Sequence, residues 1–336
     1  MGTYFAVSLS VGSYAMIPVY VIISLIILFI IWMLIGLWAM NKAIRRKKER
    51  TLEEVEKDTS TAWYKFRDQI HHGIDFINSL PKKTLTTVSH DGLTLYADLF
   101  EHENAKATIL MFHGYRSSGP NDFSCATEFY YSLGFNLLIV DQRSHGRSDG
   151  KYIGFGALER LDCQKWAEEI HTLYGKELPI IITGVSMGAS TVLMASSLPL
   201  PENTVAILAD CGFTSPKDII SHVIRWAYHI PPAIIFPAMN FWARILAKYS
   251  FDAISTCESV KKSSLPVLFL HGLDDDFVPA HMSKSTFECS KSKKEIVLVE
   301  KACHGESYLV EPERCQNALK KFLNECFEDF NYDVRV

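Results

Sequence analysis

The hydrophobic residues follow three successive patterns along the chain, and the first is a long apolar run near the N-terminus. Residues 17–40 include no charged residue. At about 1.5 Å per residue a helix of this length reaches roughly 36 Å, enough to cross a hydrocarbon core of roughly 30 Å. Because core helices of soluble domains rarely run this long without a charge, the pattern predicts one transmembrane helix over residues 17–40.

The charges on either side of this run predict its orientation. Residues 1–16 contain no Lys or Arg, whereas a basic cluster follows the run, made of Lys42, Arg45, Arg46, Lys47, Lys48 and Arg50. By the positive-inside rule, residues 1–16 form a short extracytoplasmic N-terminus, and the rest of the protein lies in the cytoplasm, attached to the cell membrane by a single pass. A secretory signal would be shorter, with positive charge before it and small residues after it.

The second pattern, over residues 41–80, is charged at first and then amphipathic. Apolar residues recur at helical spacing at Trp63, Phe66, Ile70, Ile74 and Phe76. This segment is predicted to be a helical juxtamembrane stalk whose apolar stripe docks on the membrane or on the rest of the protein. The basic cluster at its start is explained most simply as a topological stop-transfer signal, with a site for anionic lipid as the alternative.

The third pattern, over residues 81–330, alternates strand-like and helix-like segments. A hairpin with a turn at Asp91-Gly92 comes first, followed by short continuous apolar runs that are typical of strands buried on both faces. These runs are ATILMFHG, NLLIVD, PIIITG, VAILAD, PVLFLHG and EIVLVE. Helical segments lie between them, near residues 122–133, 157–174, 187–197, 281–289 and 311–328. The alternation predicts an α/β fold with an eight-stranded, mostly parallel sheet and helices on both faces.

One connection in this domain, over residues 214–264, is far longer than the usual length of about two to six residues. We expect it to form a small helical cap. Its apolar and aromatic residues include Trp226, Tyr228, Ile235, Phe236, Met239, Phe241 and Trp242. An apolar cap suits an acyl chain or an aromatic group, although packing of the cap onto the body explains part of the same composition.

Composition excludes some classes of function. With 48% apolar residues, 21% charged residues and a formal net charge of −4, the chain offers no electrostatic reason for a nucleic-acid partner. The eight cysteines show no CxxC and no Cys/His spacing of the metal-site kind, so no metal is predicted. They are interpreted as unpaired thiols of a reducing compartment rather than as disulfides.

The candidate chemistry begins at Gly184-Val185-Ser186-Met187-Gly188, directly after an apolar run. A strand followed by G-x-S-x-G and a helix is the context of a nucleophile elbow, where the serine occupies a tight, strained turn. Taken alone the pattern is weak, and Ser186 is equally explained as a helix N-cap. Its interpretation as a nucleophile depends on finding a base and an acid elsewhere in the chain.

Both partners follow in the order that this kind of site requires, serine, then acid, then histidine. Asp274, Asp275 and Asp276 come after the strand PVLFLHG, and His304 comes after the strand EIVLVE. The carboxyl ends of parallel strands share one edge of the sheet, where α/β sheets keep their sites. From the residues alone, the choice among the three aspartates stays open, with Asp210 as an outside candidate.

An oxyanion formed at the serine needs two backbone N–H donors. The residue after the nucleophile, Met187, supplies one. The second is expected from the loop HGYRSSG, where Tyr115 follows His113 and Gly114. His113 is interpreted as a structural support of that loop rather than as a base.

With these residues assembled, the chain resembles the α/β-hydrolase superfamily, and within it the bacterial membrane-anchored serine hydrolases similar to monoglyceride lipases and to the serine aminopeptidase-like group. The resemblance runs from about Thr84 to Leu323 and rests on HGYRSS, DQRSHGRSDG, GVSMGAS, DCGFTS, HGLDDDFVP and CHG, in family order. It implies that the acid is Asp275, that Asp141 and Arg143 hold loops together, and that His145 has no chemical role.

The sequence thus favours a membrane-anchored serine hydrolase that cleaves carboxylic esters, short or medium acyl esters or monoacylglycerol-like lipids, through an acyl-enzyme. Ser186 attacks, His304 transfers the proton and Asp275 orients His304, with no cofactor required. The expected partners are a small-molecule ester or lipid and the membrane. A peptidase or amidase is the enzymatic alternative, and a non-catalytic membrane scaffold is the other. A dehalogenase is disfavoured because it would carry a carboxylate in place of Ser186.

Overall fold

The computed structural model of the chain describes residues 8–48 and 62–327, with side chains described for residues 18–48 and 64–327. Residues 1–7, residues 49–61 of the predicted stalk and residues 328–330 of the predicted hydrolase domain therefore lie outside the described residues. Arg50 of the basic cluster is among them.

Eight strands form one sheet in the order β1-β2-β4-β3-β5-β6-β7-β8. β1 pairs antiparallel with β2, and β2 pairs antiparallel with β4, whereas all the other neighbours are parallel. The strands are β1 (Lys83–Val88), β2 (Thr94–Phe100), β3 (Ala107–Phe112), β4 (Phe135–Asp141), β5 (Ile180–Val185), β6 (Thr204–Asp210), β7 (Val267–Gly272) and β8 (Lys294–Val299). The predicted fold class, an eight-stranded and mostly parallel α/β sheet, is confirmed.

Helices cover both faces of the sheet and extend beyond it at the N-terminus. They are α1 (Ser8–Ile44), α2 (Ala62–Lys65), α3 (Arg67–Ser79), α4 (Gly119–Ser132), α5 (Glu159–Tyr174), α6 (Met187–Ala195), α7 (Pro216–Tyr228), α8 (Pro232–Trp242), a π-helix (Ala243–Ala247), α9 (Thr256–Val260), α10 (His281–Cys289), α11 (Ser307–Val310) and α12 (Pro312–Cys326). Every residue of the interior strands β3 and β7 is buried, because helices pack on both sides of them.

The apolar run at the N-terminus is helical and packs on the rest of the protein at its end. Residues 18–44 form an apolar segment long enough to cross a membrane. Most of its side chains are exposed, but those of Met40 and Ile44 are fully buried. Gly36 lies so close to helix α8 that a Cβ added to it would come within 2.3 Å of the Ala238 Cβ. The segment predicted to cross the membrane is therefore also a packing partner of the long connection.

Two tryptophans join α1 to α8 through hydrogen bonds to backbone carbonyls. Trp32 Nε1 donates to the carbonyl of Ile234 at 2.6 Å, and Trp242 Nε1 donates to the carbonyl of Met33 at 2.8 Å. Each bond gives an indole N–H an acceptor on the neighbouring helix, so the two bonds fix the helices against each other. Helices α7 and α8, the π-helix and α9 all belong to the 214–264 connection and are called the cap below.

Part of the predicted stalk docks on the protein body. Helix α3 buries Ile70, Gly73 and Ile77. A Cβ on Gly73 would lie 1.8 Å from the carbonyl oxygen of Ser124, so only glycine allows α3 to approach α4 this closely. The amphipathic pattern left open whether this segment docks on the membrane or on the rest of the protein. The described helix α3 docks on the protein.

The expectation that the cysteines are unpaired was wrong for two of them. Cys257 and Cys289 form a disulfide between α9 and α10, with their Cα atoms 5.3 Å apart. The other six, Cys125, Cys163, Cys211, Cys303, Cys315 and Cys326, are free thiols. The spacing along the chain gave no indication of this pair, because 32 residues separate its members and the sheet strand between them brings the two helices together.

Candidate active site

Ser186 lies on a sharp turn between β5 and α6. Its backbone has φ 56° and ψ −112°, a conformation that costs energy for a residue with a side chain. The glycines on either side make the turn possible. A Cβ on Gly184 would lie 2.1 Å from the Gly188 carbonyl carbon, and one on Gly188 would lie 1.7 Å from the Phe112 carbonyl oxygen. The turn therefore presents the serine hydroxyl at the carboxyl edge of the sheet.

His304 lies in the loop after β8 and joins this serine to a carboxylate. Its Nε2 is 2.8 Å from Ser186 Oγ, and its Nδ1 is 2.7 Å from Asp275 Oδ2. The Phe277 ring packs edge-on to the imidazole, with the ring centroids 5.0 Å apart. Residues separated by 118 and 29 positions in the sequence thus form one hydrogen-bonded chain, in which the serine hydroxyl donates to Nε2 and Nδ1–H donates to the carboxylate.

The carboxylate of Asp275 is held in the charged form. Burial alone would raise its pKa, but hydrogen bonds from His271 and His304 outweigh burial and lower the pKa below its ordinary value. Its other oxygen, Oδ1, accepts the backbone N–H groups of Phe277 at 3.0 Å and Val278 at 2.8 Å. Of the three candidate aspartates, Asp275 contacts the histidine, whereas Asp274 and Asp276 are exposed.

The two predicted oxyanion donors lie beside the serine. Met187 is the first residue of α6, so its N–H has no acceptor within that helix. Tyr115 follows Gly114, whose position is close enough that an added Cβ would lie 3.4 Å from the Ser186 Cβ. Met187 thus adjoins Ser186 at the start of α6, and Tyr115 lines the same cavity as Ser186 from the loop after β3.

Comparison of the sequence with known protein families is consistent with a hydrolase site of this geometry. Residues 103–252 match the family described as serine aminopeptidase, S33. The chain belongs to the α/β-hydrolase superfamily. The superfamily that the motifs predicted is thereby confirmed.

Relatives of this α/β hydrolase include proteins with and without an assigned activity. It is 24% identical over 277 residues to an uncharacterized protein of Bacillus subtilis, YqkD, spanning 82% of this chain and 88% of that protein. It is 28% identical over 143 residues to caffeoylshikimate esterase of Arabidopsis thaliana, spanning 41% of this chain and 42% of that enzyme. The fold is shared with the esterase Pf2001 of Pyrococcus furiosus, at 21% identity and a TM-score of 0.60, covering 74% of this chain and 91% of that chain. These relationships support a hydrolase.

Three residues for which no role was predicted support the site of this α/β hydrolase. Asp122 Oδ2 accepts the Gly114 N–H at 2.6 Å and so fixes the loop that carries Tyr115. His145 Nε2 accepts the Arg116 N–H at 3.0 Å, and burial lowers the His145 pKa to about 3, which keeps this nitrogen an acceptor. His271 Nε2 lies 3.3 Å from Asp275 Oδ2.

The sequence indicates the supporting roles of these residues to different degrees. His271 ends the strand just before the aspartates, so its proximity to Asp275 could have been read from the motif HGLDDD. Asp122 lies in the first turn of α4, and no local pattern indicates that it reaches back to Gly114. His113 supports its loop as expected, since its Nδ1 lies 2.8 Å from the Gly114 carbonyl and its Nε2 accepts the Gln142 N–H at 3.2 Å.

One group of potential metal ligands coincides with the site. In the described part of the chain, Cys211, Asp275 and His304 bring ligand atoms within 4.8 Å of one another. The imidazole and the carboxylate are already hydrogen-bonded to each other, and burial raises the thiol pKa of Cys211 well above its usual value. A protonated thiol is a poor metal ligand, so this group belongs to the serine site.

Asp210, the outside candidate for the acid, has a different partner. Its Oδ1 accepts a hydrogen bond from Ser307 Oγ at 3.1 Å. Burial raises the pKa of Asp210 from 3.8 to about 6. Because the folded-state pKa is the higher one, protonated Asp210 stabilises the fold fully below about pH 4, and this contribution is lost as the pH rises through about 6.

Asp210→Asn is expected to remove this pH dependence, because asparagine keeps an acceptor for Ser307 and cannot ionise. The free energy of unfolding of the wild type, relative to that of the variant, should fall by about 3 kcal/mol between pH 4 and pH 7. Chemical denaturation of both proteins across this range measures the difference. Parallel pH profiles for the two proteins would contradict the assignment.

A mostly apolar cavity of about 280 Å³ opens at Ser186. Cap residues on its wall include Ile220, Ile224, Ile235 and Met239, and the end of α1 contributes Ile35, Trp38, Ala39, Lys42 and Ala43. Among the described residues, no acidic side chain lines it. The cavity therefore suits an apolar group and offers a cationic ammonium no counter-charge.

Proposed function

We propose that this α/β hydrolase is a serine esterase whose nucleophile is Ser186. The observation that supports the proposal most directly is the hydrogen-bonded chain from Ser186 through His304 to Asp275, at 2.8 and 2.7 Å. His304 takes the hydroxyl proton as Ser186 attacks the ester carbonyl, and Asp275 stabilises the imidazolium that forms. The N–H groups of Tyr115 and Met187 stabilise the oxyanion.

The second half of the reaction uses the same groups in reverse. His304 gives its proton to the leaving alcohol, which departs and leaves an acyl group on Ser186. Water then enters, His304 removes its proton, and attack on the acyl carbonyl releases the carboxylic acid and restores the serine. Each step uses the three side chains, the two backbone N–H groups and water.

The cavity favours ester substrates with an apolar acyl chain over aminoacyl substrates. Its apolar wall accommodates a short or medium acyl chain, as in a monoacylglycerol-like lipid. A free α-amino group would enter a cavity whose charged lining residues are Lys42, Lys47 and Arg116, all cations. Burying an unpaired ammonium there costs several kcal/mol, which disfavours an aminopeptidase.

A substrate panel tests this preference. We expect kcat/KM for p-nitrophenyl octanoate to exceed that for the p-nitrophenyl ester of 2-aminooctanoic acid by at least about 100-fold, the equivalent of the unpaired charge, and to exceed that for an aminoacyl p-nitroanilide by more, because an anilide is less reactive than an ester. Initial rates on purified protein in neutral detergent, with thioesters included, measure it. Faster hydrolysis of the aminoacyl amide would favour the peptidase alternative, and activity on no substrate together with no fluorophosphonate labelling would favour the scaffold.

We propose further that α1 anchors the enzyme in the cell membrane with the hydrolase domain on the cytoplasmic side. The basic cluster next to the apolar run supports this side, whereas the Cys257–Cys289 disulfide is typical of oxidising compartments. Alkaline phosphatase fused to the C-terminus should be inactive in cells, and a fluorescent protein fused there should fold. Active phosphatase would place the domain outside, in agreement with the disulfide.

A further inference from the structure

The end of α1 is a wall of the cavity at Ser186. Ile35, Trp38 and Ala39 lie on one face of the helix and face the cap across the cavity. All three fall within residues 17–40, the predicted membrane span. If the span ends at residue 40, then Trp32 and Gly36, which contact α8, lie roughly 6–12 Å inside the apolar layer. The cavity thus reaches to the depth where acyl chains lie.

The outer surface of the cap near α1 is also apolar. Six large hydrophobic side chains there are exposed, namely Trp226, Ile230, Ile234, Phe241, Ile245 and Leu246. Exposed apolar surface marks contact with a membrane or a partner where it is extensive. Helix α8, which carries Ile234 and Phe241, packs on α1, whose own apolar side chains are mostly exposed, and this favours the bilayer as the medium that covers both helices.

Hydrogen bonds join the end of α1 to the loop that carries the proposed oxyanion donor. The Tyr115 hydroxyl donates to the Ala43 carbonyl at 2.5 Å, and burial raises the Tyr115 pKa to about 12, so the hydroxyl stays a donor. Arg116 Nη2 donates to the Lys42 carbonyl at 2.9 Å and to the Arg45 carbonyl at 3.2 Å. These bonds satisfy carbonyls that a helix leaves unpaired at its C-terminus. The position of α1 is therefore coupled to the active-site loop.

A basic cleft adjoins the cavity at this point. It has a volume of about 630 Å³, and the described residues that line it are Arg45, Arg46, Lys47, Lys48, Gly146, Gly150 and Lys151, none of them acidic. Lys47 lines both the cleft and the cavity at Ser186, so the two spaces are neighbours.

The fold itself holds these cations together. Arg46 Nη1 and Nη2 donate to the carbonyls of Ser148 and Gly146, each at 2.6 Å, and the Arg46 N–H donates to the Lys151 carbonyl at 2.9 Å. A stop-transfer signal needs positive charge but no such docking. Docking of Arg46 on these carbonyls places Lys47, Lys48 and Lys151 around one cleft, where their ammonium groups can bind an anion at the membrane surface.

We infer that the substrate is a single-chain acyl lipid with an anionic phosphate head group, whose chain occupies the cavity between α1 and the cap and whose phosphate occupies the basic cleft. This inference rests on the esterase function proposed above. Ser186 Oγ bonds to the acyl carbon, the ester C–O bond breaks, and the head-group alcohol leaves with the proton from His304. Water then releases the fatty acid, so the products are a fatty acid and a water-soluble phosphate ester.

The head-group part is tested with two lipids of the same acyl chain, 1-acyl lysophosphatidic acid and 1-monoacylglycerol, in neutral detergent micelles. Wild-type full-length protein should show kcat/KM at least about tenfold higher for the phosphate lipid, as expected for charge-assisted hydrogen bonds. The double variant Lys47→Ala/Lys151→Ala should lose most of this ratio. The matched control Lys82→Ala/Lys83→Ala, which removes two cations next to and within the edge strand β1, should keep the ratio.

A larger side chain on α1, placed in the cavity, tests whether this helix forms a wall of the acyl site. Ala39→Phe should lower kcat/KM for an octanoyl ester relative to an acetyl ester by about tenfold or more, because the added ring occupies space that the longer chain needs. Leu34→Phe adds a ring to the same helix at an exposed position outside the cavity and should leave this ratio unchanged. Equal chain-length profiles for the two variants would overturn the role of α1 as a wall.

The outcomes separate this inference from the function on which it rests. Hydrolysis of both lipids at equal rates by an enzyme that labels at Ser186 would overturn the head-group assignment and leave the esterase intact. Absence of both lipid hydrolysis and fluorophosphonate labelling would instead remove the esterase proposal. Inorganic phosphate that inhibits neutral-ester hydrolysis as strongly as the phosphate lipid would show a site for free anions and overturn the lipid assignment.

Discussion

Replacing Ser186 with alanine is expected to lower kcat for p-nitrophenyl butyrate by about 10⁴–10⁶-fold, because no acyl-enzyme forms without the hydroxyl. The residual rate would come from the oxyanion donors and from binding alone. Covalent labelling by a fluorophosphonate probe should disappear at the same time. Because Ser186 has a positive φ, alanine at this position meets the same backbone cost as serine, so the turn should persist.

Ser197→Ala provides the matched control for this experiment. Ser197 lies just beyond the end of α6, and its hydroxyl donates to the Met194 carbonyl at 3.1 Å, away from the cavity. This variant should keep both turnover and labelling. Labelling retained in Ser186→Ala would mean that another residue is the nucleophile, and the proposed mechanism would then be wrong.

Asp275→Asn is expected to lower kcat by about 10⁴-fold with little change in KM. The amide can still accept the N–H groups of Phe277 and Val278, so the loop should stay in place. It cannot stabilise an imidazolium, and its NH₂ group favours the tautomer of His304 that carries its proton on Nε2. In that tautomer the histidine cannot accept the proton of Ser186.

Two neighbours of Asp275 are controls within the same loop. Asp274→Asn and Asp276→Asn make the same chemical change at exposed positions and should each retain at least half of the wild-type kcat. Steady-state kinetics of the three variants at one pH compare them directly. A loss in Asp276→Asn as large as that in Asp275→Asn would contradict the assignment of the acid.

The fold was predictable because its signals are local. Short buried strands, turn residues and intervening amphipathic helices can each be recognised in a window of a few residues, and the predicted sheet and its helices are confirmed. The turn at Ser186 was predictable for the same reason, since the two glycines that permit it flank it in the sequence. The catalytic roles of Ser186, His304 and Asp275 stay predictions.

Contacts between distant residues were harder to predict. Three consecutive aspartates have the same local signal, and only the resemblance to a family selected Asp275. Two other contacts depend on how the helices pack on the sheet, which the sequence of a single segment does not determine. They are the hydrogen bond between Asp122 and Gly114 and the disulfide between Cys257 and Cys289. The docking of α1 was missed because a run of apolar residues looks the same whether it meets lipid alone or also a helix such as α8.

The contact of α1 with the cap restricts how its sequence can vary and how the enzyme can be handled. An ordinary anchor tolerates exchange for any other apolar helix of similar length, but here Gly36 leaves no room for a side chain beside Ala238 of α8. A recombinant fragment that begins after residue 48 would lack the residues of α1 that line the cavity at Ser186, so the cavity would be open to solvent on that side. We therefore expect a chimera with a foreign N-terminal helix to have an altered cavity as well as an altered proposed anchor.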